Sequence, residues 1–270
     1  MKVGIIGCGF IGTTISGALD QMERIETLNL LDIDYERSID LSSKLEKGFV
    51  FKIDDYQDFL EASDLIVEAA SQKVVVEMIP EAVRRGRDVM ILSVGALVDD
   101  ELWEAIRKEA AVKGSKVFIP SGAVSGIDGI FSASKADIEC ITLTVRKPPA
   151  GLSLPPSMHE RSAELKSMKG ALTLFDGSAR EAVREFPKNV NVAATVALAG
   201  IGFDRTRVVI IADPSVQRNR QTIEVRGRFG EMKIEMMNQP STTNPRTSYL
   251  APLSAVAMIE KLISGVYIGN

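Results

Sequence analysis

The stretch KVGIIGCGFIGTTISGALDQ, residues 2–21, decides the fold because it joins an apolar strand, a glycine-rich turn and a helix in that order. Its glycines Gly7, Gly9 and Gly12 have the spacing G-x-G-x-x-G. The first glycine permits a tight turn, the second lets a pyrophosphate approach the backbone, and the third lets helix and strand pack closely. The stretch therefore predicts a turn that binds a dinucleotide.

The helix after this turn and the strand after that helix complete the motif. The first turn of the helix contains Phe10 and Ile11. Its unpaired N–H groups and partial positive charge can bind the phosphate groups of a cofactor. The next strand, TLNLLDID, places Asp32 twenty residues after the last glycine of the motif. A carboxylate there accepts hydrogen bonds from the adenosine ribose and repels a 2′-phosphate. We therefore predict NAD as the cofactor; Asp34 is an alternative ribose ligand, and Arg37 leaves NADP open.

Strands and helices continue to alternate over the first half of the chain. Buried strands are predicted at 64–70, 88–97 and 116–123, with helices at 74–86 and 99–114 between them. This indicates an α/β fold with a Rossmann-type doubly wound parallel sheet, whose ligands bind at the carboxyl ends of the strands. Those ends carry small residues, which let the backbone lie against a flat cofactor. Each strand end, taken singly, is also explained as an ordinary turn. The small residues are Ala70, Ser71, Ser93, Ser121 and Ala123.

After residue 123 the pattern changes to one typical of a mostly antiparallel sheet, and hence of an α+β domain. The predicted elements are a helix at 126–138, a strand at 138–149, a strand and a short helix at 171–187, an apolar helix at 189–203, a strand at 205–214 and a hairpin at 222–240. We predict a dinucleotide-binding Rossmann domain at 1–122 and a substrate and dimerisation domain at 123–246. A C-terminal helix at 247–265 is expected to pack back on the first domain.

Composition and charge exclude several other classes of protein. The net charge is −4 and no basic patch is present to displace counterions from phosphates, so nucleic acid is not an expected partner. No apolar run approaches the roughly 20 residues that span a bilayer. The two cysteines, Cys8 and Cys140, form neither a disulfide framework nor a metal-site spacing. We therefore expect a cytoplasmic protein with no metal and no membrane segment.

A series of stretches, in order along nearly the whole chain, resembles the L-aspartate dehydrogenase family. They are the glycine motif, SGAVSGIDGI (121–130), RKPP (146–149), FPKNVNVAAT (186–195), ADPSVQRN (212–219) and NPRTS (244–248). The resemblance implies an NAD(P)-dependent oxidoreductase that deaminates L-aspartate through iminoaspartate to oxaloacetate and ammonia, and so feeds NAD biosynthesis. It also implies a homodimer whose chains each have a Rossmann domain and an α+β domain.

The same resemblance implies roles for particular residues. Ala123 matches the family's alanine on the nicotinamide side, Asn189 matches an asparagine that contacts the cofactor, and Asn191 is its close neighbour. The family's catalytic histidine, in the pattern N-x-H-x-I, falls on Gln221, and the pattern begins at Asn219. Gln221 and Asn219 are therefore the predicted catalytic residues, with an amide where the family has an imidazole.

A glutamine in place of a histidine changes what the site can do. Imidazole can take the proton of the water that attacks the imine, whereas the amide of Gln221 can hold water or substrate but does not titrate. We therefore predict reduced turnover with cofactor binding intact. Three explanations stay open: an engineered change from histidine, a natural replacement with another base such as Lys147, and a different substrate.

Several basic and hydroxyl side chains are candidates for binding the two carboxylates of aspartate. Arginine binds carboxylates in bidentate pairs, and hydroxyl groups at a helix start offer further donors. Each is alternatively explained as a solvated charge or a helix cap. The candidates are Ser121, Lys147, Arg218, Arg220, Arg246, Thr247 and Ser248. The single histidine, His159, lies in a Pro-Ser loop and is expected at the surface.

Two other functions fit the same residues. One is a non-catalytic NAD-binding sensor, in which Gln221 marks the loss of chemistry. The other is a related two-domain reductase that acts on a semialdehyde or a cyclic imine. Recovery of aspartate turnover by Gln221→His would exclude the sensor, and a panel of substrates would separate the two enzymes.

Overall fold

The structure, a computed structural model, describes residues 1–152, 154–155, 158, 160, 165, 167–186, 191–239, 241 and 247–269. Contacts divide the chain into two compact units. One is Met1–Pro120 with Pro252–Ile268, and the other is Ser121–Ala251 with Gly269. The sequence suggested divisions after residues 122 and 246; the contacts place them after 120 and 251. Each unit contains its own sheet.

The first unit is built on a parallel sheet. Its strands are β1 (Lys2–Ile6), β2 (Thr27–Leu31), β3 (Gly48–Phe51), β4 (Leu65–Glu68), β5 (Asp88–Ile91) and β6 (Val117–Phe118). Their order is β3-β2-β1-β4-β5-β6, and neighbouring strands are parallel. The order reverses between β1 and β4, and dinucleotides bind at such switch points, outside the carboxyl ends of the strands. The predicted doubly wound parallel sheet is confirmed.

Helices connect these strands. They are α1 (Phe10–Asp20), α2 (Tyr35–Ser42), α3 (Tyr56–Glu61), α4 (Gln72–Arg84) and α5 (Asp100–Lys113). The sequence did not indicate β3, α2 or α3, because their apolar patterns are weak. The β3 strand lies at the sheet edge and has no fully buried residue, and α2 buries only Ser38 and Leu41. The strands predicted to reach residues 97 and 123 end sooner, at Ile91 and Phe118.

The second unit contains a mixed sheet. Its elements are α6 (Ile127–Ala133), β7 (Ile138–Lys147), β8 (Leu172–Ser178), α7 (Ala179–Glu185), α8 (Asn191–Ala199), β9 (Thr206–Ala212), β10 (Asn219–Gly227) and β11 (Gly230–Asn238). The strand order is β11-β10-β7-β9-β8; the pair β7 and β9 is parallel and the other pairs are antiparallel. The predicted mostly antiparallel sheet of an α+β domain is therefore confirmed.

The helix predicted over 126–138 is shorter in the structure. It ends at Ala133, and the polar residues that follow form turn hydrogen bonds before β7 begins at Ile138. In one of these turns the hydroxyl of Ser134 donates to the carbonyl oxygen of Phe131 at 2.7 Å. Competition of a serine side chain with the helical backbone is a common reason for a helix to stop.

The C-terminal helix α9 (Leu250–Ser264) supplies residues to the core of the first unit. Ala255 and Ile259 are fully buried there, in one cluster with Val3 and Ile5 of β1. The apolar side of α9 thus covers the parallel sheet beside its central strand. No helix within the described residues is long and apolar enough to cross a membrane.

Candidate functional site

The glycine turn of the first unit forms a cradle with room for a phosphate group. Gly7 has a φ of +101°, which favours glycine, and a Cβ added to Gly12 would lie 1.9 Å from the carbonyl oxygen of Gly7. A Cβ added to Gly9 would meet no atom within 4 Å, so this part of the turn is open. Gly9 also precedes α1 without a side-chain cap, and the first turn of α1 carries no acidic residue. These features fit a dinucleotide pyrophosphate.

Asp32 follows β2 directly and lies against the glycine turn. Its Oδ2 accepts a hydrogen bond from the backbone N–H of Cys8 at 2.7 Å, and its Oδ1 accepts from the N–H of Asp34 at 2.9 Å. Each carboxylate oxygen has a further lone pair, so Asp32 can still accept from ribose hydroxyls. The side chain of Asp34 instead pairs with Arg37 at 3.1 Å. Asp32 is therefore the better placed of the two carboxylates.

The small residues predicted at the ends of β4 and β5 surround one buried carboxylate. Glu68, the last residue of β4, accepts hydrogen bonds from the N–H of Ala70 at 2.8 Å and from the N–H and hydroxyl of Ser93, both at 2.9 Å. Ser71 caps α4 by accepting a backbone hydrogen bond of 3.4 Å. A Cβ on Gly7 would lie 2.9 Å from the Cβ of Ala70. The structure thus places Ala70 against the glycine turn and connects it to Ser93 through Glu68.

The open surface at Gly9 gives a test that separates cofactor binding from folding. In Gly9→Ala the new Cβ meets no protein atom, yet it takes space where a pyrophosphate would reach the backbone. We expect normal thermal unfolding and a dissociation constant for NADH raised about 100-fold, which corresponds to ~2.7 kcal/mol. The matched control is Gly17→Ala in α1, whose Cβ also meets no atom and which should leave NADH binding unchanged. Unaltered NADH binding by Gly9→Ala in a fluorescence titration would contradict the cradle.

In the second unit, Gln221 is buried and its side chain is held by Asn238. The amide nitrogen Nδ2 of Asn238 donates to Oε1 of Gln221 and to the carbonyl oxygen of Ala123, both at 2.6 Å. Because a carbonyl oxygen can only accept, the bond to Ala123 identifies the donating atom of Asn238 as nitrogen. Within the described part of the chain, the Gln221 side chain makes no other hydrogen bond. Its own amide nitrogen can therefore serve a ligand.

Lys147 and Asn219 lie on the same buried sheet face as Gln221. Gln221 of β10 is opposite Val145 of β7. Lys147 comes two residues after Val145 and Asn219 comes two residues before Gln221, which places both on the face of Gln221. The Lys147 residue is 5% exposed and Asn219 is 3% exposed. Burial lowers the pKa of the Lys147 ammonium group to about 8. We call Lys147, Asn219, Gln221 and Asn238 the buried polar cluster; it combines three amides with a group that titrates near neutral pH.

Thr247 and Ser248 lie where the chain enters α9. The backbone N–H of Ser241 donates to the carbonyl oxygen of Thr247 at 2.8 Å, and Ser241 and Ser248 are both buried. Ser241 follows Asn238 of the buried polar cluster by three residues. Thr247 is thus joined by a backbone hydrogen bond to the segment that follows β11.

The remaining candidates of the second unit differ in position. Ser121 is partly buried two residues before Ala123, and Asn191 begins α8, where its carbonyl oxygen accepts from the hydroxyl of Thr195 at 3.1 Å. Arg218 is exposed in the turn before β10. His159, Asn189 and Arg246 lie outside the described residues.

Arg220 was a candidate for binding a substrate carboxylate, but its side chain does not share the face of Gln221. It is exposed on the opposite face of β10 and pairs with Glu235 of β11 at 2.5 Å. The reason is the period-two alternation of a strand, which sends neighbouring residues to opposite faces. Arg220 is therefore separated from the buried polar cluster by the sheet itself.

Two residues of these sites were not found from the sequence. Asn238 could have been, because the hairpin register pairs Gln221 with Met236 and Asn219 with Asn238, which places Asn238 on the face of Gln221. Glu68 also left a signal, since a charged residue at the end of an apolar strand needs hydrogen-bond partners when it is buried.

A glycine turn with an adjacent carboxylate on a doubly wound parallel sheet in one unit, and a buried polar cluster on a mixed sheet in the other, are typical of two-domain NAD(P)-binding dehydrogenases. A family profile described as "Aspartate dehydrogenase, C-terminal" matches residues 128–262, and one described as "Homoserine dehydrogenase, NAD binding domain" matches residues 7–120. The L-aspartate dehydrogenases of Methanosarcina barkeri and Methanosarcina acetivorans are 46% and 48% identical to this chain, with 100% of each chain covered. The chain belongs to the aspartate dehydrogenase family.

Solved structures agree with this assignment of the fold. The crystal structure of aspartate dehydrogenase from Thermotoga maritima has a TM-score of 0.77 to this chain at 26% identity, and the match covers 100% of this chain and 99% of that one. The scyllo-inositol dehydrogenase of Lactobacillus casei, solved with NAD(H) and scyllo-inositol, has a TM-score of 0.58 at 14% identity, covering 100% and 91%. At that identity the second match shows a shared fold alone.

Proposed function

We propose that this chain is an NAD-dependent L-aspartate dehydrogenase, which converts L-aspartate, NAD⁺ and water into oxaloacetate, ammonia, NADH and a proton through iminoaspartate. The observation that carries the proposal is the buried Lys147 on the sheet face of Gln221, in a chain 46% and 48% identical over its full length to two L-aspartate dehydrogenases. The product iminoaspartate would feed NAD biosynthesis. The residue at 221 is an amide, so the proton chemistry falls to another group.

Lys147 is the group that we assign to proton transfer. Bound NAD⁺ supplies the acceptor for the hydride that leaves Cα of aspartate. Because burial lowers the pKa of Lys147 to about 8, part of the population is an uncharged amine at neutral pH and can take a proton from the water that adds to the imine. Gln221, fixed by Asn238, can donate a hydrogen bond to that water or to a substrate carboxylate.

NAD rather than NADP is the proposed cofactor. The carboxylate of Asp32 is held against the glycine turn by the N–H of Cys8, where it would repel a 2′-phosphate. The cation that would most readily accept a 2′-phosphate, Arg37, is already paired with Asp34. Both contacts favour the cofactor without the phosphate.

The test is an assay of NADH formation by the purified chain with L-aspartate and NAD. We expect NADH from L-aspartate, consumption of NADH with oxaloacetate plus ammonia, and slower reaction with NADP. NADH binding without turnover of any substrate would instead support the sensor. Turnover of a semialdehyde or a cyclic imine, with none of aspartate, would support the reductase.

We also propose a homodimer that forms through the open face of the second sheet, opposite the buried polar cluster. Its charged side chains are paired across strands and rim a depression of about 310 Å³. The pairs are Arg146–Asp213 and Arg220–Glu235, both at 2.5 Å, and Lys233–Glu224 at 3.0 Å. A face with balanced charges can meet its own copy across a two-fold axis. Light scattering should give twice the chain mass of 29.3 kDa; a monomer mass would contradict the dimer.

The cytoplasm is the proposed site of action. Both cysteines are free thiols, and Cys140 is exposed. An exposed free thiol is typical of a compartment that keeps thiols reduced. Activity recovered with the cytoplasmic fraction of cells would support this location.

A further inference from the structure

Glu68 is a fully buried carboxylate at the edge of the sheet where the cofactor site lies. It is the last residue of β4, which pairs with β1 on one side and with β5 on the other. Its exposure is 0%. A buried charge is retained in a fold only when hydrogen bonds or partners compensate for its lost hydration. The bonds of Glu68 therefore indicate what the residue does.

Those bonds connect two loops. Oε1 of Glu68 accepts from the N–H of Ala70, on its own loop, and from the hydroxyl of Ser93, on the loop after β5; Oε2 accepts from the N–H of Ser93. Burial raises the pKa of the Glu68 carboxyl, and the hydrogen bonds from Ser93, Ala70 and Ser71 act against that rise. The carboxylate thus holds the ends of β4 and β5 in one arrangement.

The topology shows which half of the cofactor these loops face. In a doubly wound sheet each half takes one mononucleotide, and the two halves meet at the switch point between β1 and β4. Asp32 at the end of β2 belongs to the adenosine half. The loops after β4 and β5 therefore belong to the other half, which takes the nicotinamide mononucleotide.

We propose that Glu68 is a positioning residue, which fixes the Ala70 and Ser93 loops in the form that binds the nicotinamide half of the cofactor. This inference rests on the proposed function, because it assumes that NAD is bound. It concerns affinity for one half of the dinucleotide, and so it can be tested without turnover.

The test compares two ligands on the intact protein: NADH, and ADP-ribose, which lacks the nicotinamide. Glu68→Gln keeps the size of the side chain but places an amide N–H against one of the N–H or hydroxyl donors. We expect the dissociation constant for NADH to rise about tenfold, as for the loss of one hydrogen bond to a charged group, while ADP-ribose binds as before. Hydrogen exchange at the Ala70 and Ser93 amides should become faster in the ligand-free protein. The control Glu77→Gln, on the exposed side of α4, should change the dissociation constant of neither ligand.

A second variant covers the case in which Glu68→Gln does not fold. Ser93→Ala removes one of the bonds to Oε1 and leaves both backbone bonds in place. It should therefore weaken the binding of NADH by less than Glu68→Gln does, and leave the binding of ADP-ribose unchanged. Equal weakening of NADH and ADP-ribose in a folded variant would show a general structural role and overturn the inference. No effect on either ligand would overturn it as well. If the unmodified chain binds ADP-ribose and not NADH, the proposed function fails instead.

Discussion

Replacing Lys147 with methionine is expected to lower the turnover of aspartate by about 10²- to 10⁴-fold, the usual loss when a general base is removed. Methionine has a similar length and no charge, so the buried space stays filled. The folded-state pKa of Lys147, about 8, lies below its ordinary value of 10.5, so the residue lowers the free energy of unfolding progressively as the pH falls from 10.5 to about 8, and this loss stays constant at lower pH. Lys147→Met should therefore fold at least as stably as the unmodified chain.

The pH dependence identifies the role of Lys147. Only the uncharged amine can accept a proton, so kcat/KM of the unmodified chain should rise with pH and level off above about 8. Lys147→Met should lose this rise. If Lys147 instead binds a substrate carboxylate, the variant should raise KM for aspartate and leave the pH profile of kcat in place.

The matched control for this variant is Lys108→Met. Lys108 is exposed on α5 of the first unit and pairs with Glu104 at 3.6 Å. Its removal should leave both kcat and the pH profile unchanged. Full activity of Lys147→Met at every pH would exclude Lys147 as the base.

The cofactor site of the first unit was predictable because its signals are local. Gly7, Gly9 and Gly12 lie within one turn, and Asp32 ends the next strand, so short stretches of sequence contain the whole pattern. The structure brings these residues together, with the N–H of Cys8 bonded to Asp32. What the sequence did not show is the long-range contact between Glu68, at the end of β4, and Ser93, on the loop after β5.

The second unit was harder to predict because its cluster depends on which strands pair. Lys147 and Gln221 share a face only because β7 lies beside β10, and no local pattern shows this register. The burial that lowers the pKa of Lys147 follows from the same packing. Alternation within β10 was readable, however, and it would have removed Arg220 from the candidates for substrate binding.

Replacing Gln221 with histidine is expected to raise the turnover of aspartate at neutral pH by about 10²-fold, the lower end of what a general base contributes. The lower end applies because Lys147 is proposed to act as a base already, although most of it is protonated below its pKa of about 8. The new imidazole would lie where Asn238 donates a hydrogen bond to residue 221. An imidazolium has no lone pair to accept that bond, so Asn238 favours the neutral ring, which is the form that acts as a base.

The pH profile again gives the sharper test, because the two bases titrate in different ranges. In Gln221→His the rise of kcat/KM with pH should move from about 8 to near or below ~6.5, the ordinary pKa of histidine, and Lys147→Met should then reduce turnover far less than in the unmodified chain. Gln57→His is the control, because residue 57 is exposed on α3 of the first unit and the same change there should leave the profile unchanged. A Gln221→His variant that binds NADH but is no faster at any pH would show that residue 221 does not reach the reacting water. Lys147 would then remain as the base without a second group at 221.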